Sequence, residues 1–430
     1  MIKVHDNYKF FFNLIIYLIC FGFLFSLLNV LGVISEIPNN ENLLNWDASW
    51  YHSIVKDGYI YDETGQSNAG FFPGFPLIWG FLSLTPLTVS IFNFSLFLIG
   101  IILLKINLKA SPLSFFLCLS LPTVFFLYVP YSEALFYFFV CVFIISWLKK
   151  NLLMVFLFAT ILSIVRPAIF FMVPPILLLL LMYKLFDNKQ NQVNLITLAG
   201  FLLGTFIGFY IIGFFTGDFF SYSKSQVTFW NHTFKIPSLP FTTWRGHRLL
   251  WLDYLALLIT VLSAVILIRN VLLVILKKRL KLDGLNIFSL GYLSMILVYV
   301  SFFHPIEDGR TSLLSLNRYV LCSPFVHLLI LRNFSKIKLN KANLLIFSSS
   351  VLISVLLVGF PNHQVVGLDT SYSFFYYLLI ILFSVLYFST LVSFSVNRFI
   401  KLTFYFGILI LGVFLQIYLF NSFLKGNWIG

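Results

Sequence analysis

Residues 151–183 read NLLMVFLFATILSIVRPAIFFMVPPILLLLLMY, and the threading of this stretch decides the fold. It is almost purely apolar, and crossing a bilayer takes about 20 apolar residues. One long tilted helix would fit the length. Proline, however, lacks the amide hydrogen that continues a helix and clashes with the preceding turn. Arg166 and Pro167 therefore predict a break, with two short helices meeting at Arg166. The basic residues choose between the readings. With two helices, Lys277, Lys278, Arg279 and Lys281, then Arg332, Lys336, Lys338 and Lys341, share a side with Lys105, Lys109, Lys149, Lys150, Lys184 and Lys189. With one helix the later clusters swap sides. Short cytoplasmic loops collect Lys and Arg, which favours two helices.

The rest of the chain follows the same pattern. Hydrophobic residues make up 60% of the 430 and charged ones 10%, against roughly 25% charged in soluble domains. The expectation is an all-α polytopic membrane protein. Its spans fall at about 10–34, 86–104, 112–129, 133–148, 151–165, 168–183, 195–215, 250–268, 285–303, 318–331, 343–360, 374–396 and 402–423, about 13 in all. The first run is too long for a signal-peptide core and has no small-residue cleavage site. It reads as an uncleaved span, which puts the amino end in the cytoplasm of a multi-pass cell-membrane protein and the carboxyl end outside. FFPGFPLIWGFLSL, 71–84, holds two interior prolines and reads as a partly embedded segment rather than a span. No separate soluble domain is visible, so 1–430 is one membrane domain. Its larger outer segments are about 35–70, 216–249, 304–317 and 361–373.

The net charge of +13 sits in short loops between apolar runs, which argues against nucleic acid as a partner. Most acidic residues fall on the other face, among them Glu36, Glu41, Asp47, Asp57, Glu133, Asp218 and Glu307. That asymmetry assigns the chemistry to the outer face. Cys20, Cys118, Cys141 and Cys322 lie in apolar runs without metal-ligand spacing. No phosphate-binding glycine loop, dinucleotide glycine motif or H-E-x-x-H occurs, so neither a metal nor a cofactor is expected.

Five places carry candidate chemistry. In NWDASWY, 45–51, a helix would put Asp47 on one face with Trp50 at i+3 and Tyr51 at i+4. Trp46 precedes them. A carboxylate there could accept a hydroxyl proton while rings hold a sugar; the bland alternative is an interfacial helix, where Trp and Tyr gather anyway. Glu133 follows Pro130, Tyr131 and Ser132 at membrane depth, either as a functional carboxylate or as a first-turn residue behind a Ser132 cap. Arg166 needs an anionic partner at that depth, Glu133 or a lipid phosphate. The outer segment TGDFFSYSKSQVTFWNHTFK supplies Asp218, Lys224, Gln226, Trp230, His232 and Lys235, with Arg245, His247 and Arg248 at the lip of the next span. Those basic groups could hold a substrate phosphate or ordinary anionic lipid. Finally, His304, Glu307, Asp308 and Arg310 precede Asn317, Arg318 and Tyr319, with Arg318 a second phosphate clamp.

Taken in order, NWDASWYHSIVKDGY, FFPGFPLI, LPTVFFLYVPYSEALF, SIVRPAIFF, TGDFF with SQVTFW, and LNRYVL resemble the PIG-V-type mannosyltransferases, the GPI-anchor mannosyltransferases and their bacterial relatives. The matches run from Asn45 to about Leu321 and leave out the last four spans. Gly74 stands where those proteins usually carry a bulky residue. The resemblance implies a GT-C fold with its active site on the non-cytoplasmic face. It implies a polyprenyl-phosphate-linked sugar donor and a glycan or glycolipid acceptor. By the same carry-over Asp47 is the catalytic base, and Glu133, Arg166, Gln226, Trp230 and Arg318 are site residues. The expected activity is inverting glycosyl transfer. Two other classes stay open: a lipid-linked sugar flippase or transporter, and an O-antigen-type polymerase or ligase, for which Arg245 and Arg248 would hold a pyrophosphate.

Overall fold

The computed structural model describes residues 2–167, 169–183, 188–243, 247–276, 282–307, 309–359, 374–393 and 397–430. Most of them are helical. The only sheet among them is the hairpin Ile306–Glu307 with Arg310–Thr311. Among the described residues seven helices are long and apolar enough to cross a membrane: Phe10–Val30, Pro86–Leu108, Lys189–Thr216, Trp251–Ile275, Gly284–Phe303, Lys341–Val358 and Phe399–Leu424. Their outward faces are apolar too; Phe214 and Phe399, for instance, are 73% and 76% exposed. Helices that are hydrophobic all round belong in lipid. The chain is thus an all-α membrane protein with several spans.

Residues 151–183 divide where the proline requires it. Leu152–Val165 is one helix, Arg166 is extended (φ −146°, ψ 151°), and Ile169–Tyr183 is the next. Asn151 starts the first by accepting from the Met154 amide at 3.2 Å. The long helix Asn188–Thr216 packs along Leu152–Val165 through glycines spaced four apart. A β-carbon on Gly200 would stand 2.7 Å from that of Ala159 and one on Gly204 would run into the Thr160 carbonyl oxygen, while one on Gly208, beyond that helix, would stand 2.6 Å from the Phe72 ring. Small residues at this spacing let backbones touch, which substitutes for the hydrophobic drive that lipid cannot provide.

Two expected spans are not single helices. The run 112–129 divides into Pro112–Leu119 and the 3₁₀ segment Pro122–Leu127. The run 318–331 divides into Leu316–Leu321 and Pro324–Asn333. In each case a proline forces the residue before it out of helical conformation, Leu121 (φ −60°, ψ 136°) and Ser323 (φ −71°, ψ 134°). Within 71–84 the helix is only Gly74–Phe81, too short to span, as its prolines predicted.

Both ends of the bundle can be assigned. The Leu87 amide at the start of Pro86–Leu108 donates to Asn40 Oδ1 at 3.0 Å. Asn45 Nδ2 donates to the Phe423 carbonyl at 2.9 Å, at the end of Arg398–Leu424. The first loop therefore sits at the end holding Pro86 and Phe423, while Lys109 and Lys401 lie at the opposite end.

Backbone oxygen cannot move aside as a side chain can. Gly204→Leu should lower stability by about 1–3 kcal/mol or more through overpacking, read as a lower midpoint of thermal unfolding in detergent. Gly407→Ala, whose added carbon meets nothing within 4 Å, should leave the midpoint nearly unchanged.

Candidate active site

Asp47 opens the short helix Asp47–Asp57. The residue before it, Trp46, has φ 57° and ψ −123°, a conformation that non-glycine residues rarely adopt and that costs on the order of 1–3 kcal/mol. Neighbouring contacts hold this turn: Asn45 is tied to the last helix, and Trp46 meets Trp428 edge to face at 5.0 Å. One turn on, Tyr51 Oη donates to Ser132 Oγ at 2.8 Å. Ser132 stands at the N-cap position with Glu133 in the first turn, but its backbone is helical, its side chain caps no amide, and its hydroxyl accepts from Tyr51. Asn93 Nδ2 fixes the preceding turn by donating to the carbonyls of Val129 (2.6 Å) and Tyr131 (2.9 Å). Glu133 then begins Glu133–Leu148, buried at the cavity wall.

Arg318 comes from the far end of the sequence on Leu316–Leu321, launched by Ser315 in the left-handed region (φ 62°). Its neighbour Asn317 is pinned, with Nδ2 donating to Asp253 Oδ1 at 2.9 Å, and Thr243 Oγ1 donates to the other Asp253 oxygen. Asp253 thus positions the arginine without touching the cavity.

These elements bring two carboxylates and two guanidiniums together. Arg318 Nη1 lies 2.7 Å from Asp47 Oδ2, and Arg166 Nη1 lies 2.8 Å from Glu133 Oε1. Arg318 Nε is 3.3 Å from that same glutamate oxygen but poorly aimed, so the N–H has no directed acceptor. The formal charges cancel. Each carboxylate also accounts for a guanidinium that would otherwise be buried alone, the costly arrangement at membrane depth. Gly74 sets the arginine's height: a β-carbon there would stand 2.8 Å from Val165 Cα, so backbone meets backbone just before Arg166.

The quartet lines a cavity of about 190 Å³. Asp47, Tyr51, Glu133, Arg166, Gln226, Trp230, Arg318 and Tyr319 all reach its wall. Trp46 and Trp50 stand beside it; Trp50 stacks on Phe71 at 6.3 Å, so the expected shared face holds for Tyr51 and not for Trp50. Gln226 Nε2 donates to the Gly70 carbonyl at 2.9 Å, which turns its oxygen toward His232. Asp218 and Lys224 pair with each other at 2.7 Å away from the cavity, and Glu307 and Arg310 belong to the hairpin. Arg245 and Asp308 lie outside the described residues, as do the side chains of His247 and Arg248.

Several wall residues had no signal in the sequence. Trp428 arrives from the carboxyl-terminal segment, Tyr222 from Ser221–Thr228, and Tyr292 and Tyr299 both from Gly284–Phe303. His232 and His304 stack at 5.7 Å. His304 Nδ1 lies 3.0 Å from the Ser312 carbonyl, which only accepts, so that nitrogen carries the proton. Its buried Nε2 then presents a lone pair with no partner, and the buried Trp230 Nε1–H likewise has none. Burial pushes the His304 imidazole down to about 3, helped by His232, and burial pushes His232 down to about 4.

Compared with family models, curated proteins and solved structures, the chain matches none.

Two outcomes follow from this geometry. Glu133→Gln leaves two guanidiniums sharing Asp47, and loss of one partner from a buried ionic group costs about 3–5 kcal/mol; chemical unfolding in micelles should register that loss. For the histidines, the folded values lie below the unfolded one of about 6.5, so the unfolded chain binds more protons in between. Stability is complete above about pH 6.5 and falls as pH drops toward 4. At pH 5 the His304 share is about 2 kcal/mol. His304→Gln should flatten the dependence of unfolding on pH between 5 and 7.

Proposed function

We propose that this protein is an inverting membrane glycosyltransferase of the GT-C type. In this reading it moves a hexose from a polyprenyl-phosphate carrier to an acceptor hydroxyl on the non-cytoplasmic face. The resemblance to PIG-V-type mannosyltransferases makes mannose the first sugar to test. The single observation that carries the reading is the meeting of Asp47, Arg166 and Arg318 at one cavity.

The chemistry runs as an exchange of partners. The quartet is balanced, so the donor's phosphate binds by competing with Asp47 for Arg318 rather than by filling an excess of positive charge. The misdirected Nε–H of Arg318 offers the phosphate a further donor. Released from the guanidinium, Asp47 accepts the proton of the acceptor hydroxyl as its oxygen attacks the anomeric carbon. The bond from that carbon to the phosphate oxygen breaks, and its electron pair leaves with polyprenyl phosphate. Arg166 and Arg318 stabilise the second negative charge that develops there, a kind of electrostatic help that is often the largest catalytic contribution. Glu133 keeps both arginines in place throughout. Tyr51, Trp230 and the His304 lone pair supply rings and polar atoms for the sugar.

Asp47→Asn keeps shape and removes the base. In membranes carrying normal protein levels it should cut transfer by about 10²–10⁴-fold, measured as polyprenyl phosphate released from a labelled lipid-linked hexose. Wild-type turnover would end the assignment. Movement of the labelled lipid across the bilayer without bond cleavage would make the protein a flippase instead.

A further inference from the structure

At the end of the bundle opposite Asp47 lies a second, larger cavity of about 530 Å³. Its wall carries Lys109, Ser111, Ser335, Lys336, Lys401 and Tyr405 on an apolar floor. The three lysines come from three places in the chain: the left-handed end of Pro86–Leu108, the loop after Pro324–Asn333, and the first turn of Arg398–Leu424. Among the described residues that line it none is acidic, and the nearby carboxylate of Asp283 is held by Arg332 at 2.6 and 2.9 Å. Lys401 Nζ donates to Ser335 Oγ at 2.7 Å, but a hydroxyl leaves the charge uncompensated.

Two further observations indicate what balances it. Tyr405 is 4% exposed, and its hydroxyl is buried without a hydrogen-bond partner. Buried polar groups are rarely left so, and each one calls for an explanation. Lys401 and Tyr405 also form one end of an adjoining trench of about 410 Å³ between Phe374–Ser389 and Arg398–Leu424. Apart from Ser389 the rest of its wall is apolar, and Leu382 and Ile400 face outward at 54% and 58% exposure. A cationic, hydroxyl-lined chamber thus opens into an apolar trench on the lipid-facing side.

We infer that these two cavities together bind one anionic glycerophospholipid, its phosphate headgroup among Lys109, Lys336 and Lys401 and an acyl chain in the trench. The phosphate neutralises the lysines, and a phosphate or ester oxygen accepts from Tyr405. A free inorganic anion would use only the chamber, and a zwitterionic lipid would bring its own cation into it. Basic pockets between spans are where anionic headgroups bind. This site is separate from the Asp47 cavity and does not depend on the transfer reaction.

Native mass spectrometry of the full-length protein, titrated with phosphatidylglycerol, phosphatidylcholine or inorganic phosphate, tests the assignment. Wild type should retain one phosphatidylglycerol in preference to phosphatidylcholine, and inorganic phosphate should not displace it. Neutralising Lys109 and Lys336 together (Lys109→Gln, Lys336→Gln) should weaken that lipid on the order of 30-fold, about fivefold per lysine. Tyr405→Phe should weaken it less, without removing charge. Lys56→Gln, an exposed lysine at the other end of the bundle, should change nothing. Equal retention of both lipids, displacement by phosphate, or double-variant binding at the wild-type level would each overturn the inference.

Discussion

Arg318 touches Asp47 across 271 positions of sequence, and that contact closes the molecule around its cavity. A guanidinium at membrane depth cannot stand alone, because the surroundings solvate it poorly. The helix that carries it therefore has to find acids, and the acids lie on the first loop and on the helix that follows Tyr131. Through this one demand Leu316–Leu321 is drawn to Asp47–Asp57 and Glu133–Leu148. Arg166 enters on the same terms, since the proline after it ends a helix at the level of Glu133.

What surrounds the quartet serves to hold it still. Asp253 and Asn317 fix the backbone beside Arg318, Asn93 fixes the turn before Glu133, and Tyr51 ties Asp47–Asp57 to Ser132. Positive φ at Trp46 and at Ser315 sits directly before each of the helices that bring Asp47 and Arg318. Such conformations persist only where neighbouring contacts over-determine them. Their placement at both arms of one ion pair indicates that local backbone energy has been set against the position of these side chains.

Much of this was legible in the sequence. The break at Arg166 followed from Pro167, the non-spanning segment from the prolines of 71–84, and the charged candidates from their rarity in apolar runs. Asp47, Glu133, Arg166 and Arg318 are conspicuous because a charge in lipid needs a reason. Aromatic residues gave no such contrast. With 54 phenylalanines and 21 tyrosines in the chain, nothing local separates Tyr222, Tyr292 or Trp428, which line the cavity, from rings that pack or face lipid. Trp50 shows the converse, since its i+3 spacing from Asp47 looked productive and Phe71 claimed the ring. Hydropathy hides the division of 112–129 and 318–331, because it averages across a proline whose effect is confined to its neighbours. The lone pair of His304 depends on a carbonyl eight residues away and could be found only in three dimensions.

In the proposed reaction a lipid phosphate takes the place of Asp47 on Arg318. A cryo-electron microscopy structure of the purified protein with a non-hydrolysable polyprenyl-phosphate-sugar analogue tests it most directly. The phosphate is expected between Arg166 and Arg318, with the Asp47 carboxylate turned off the guanidinium toward the sugar and Glu133 unmoved. Phosphate density elsewhere, with the 2.7 Å contact between Arg318 and Asp47 intact, would contradict it.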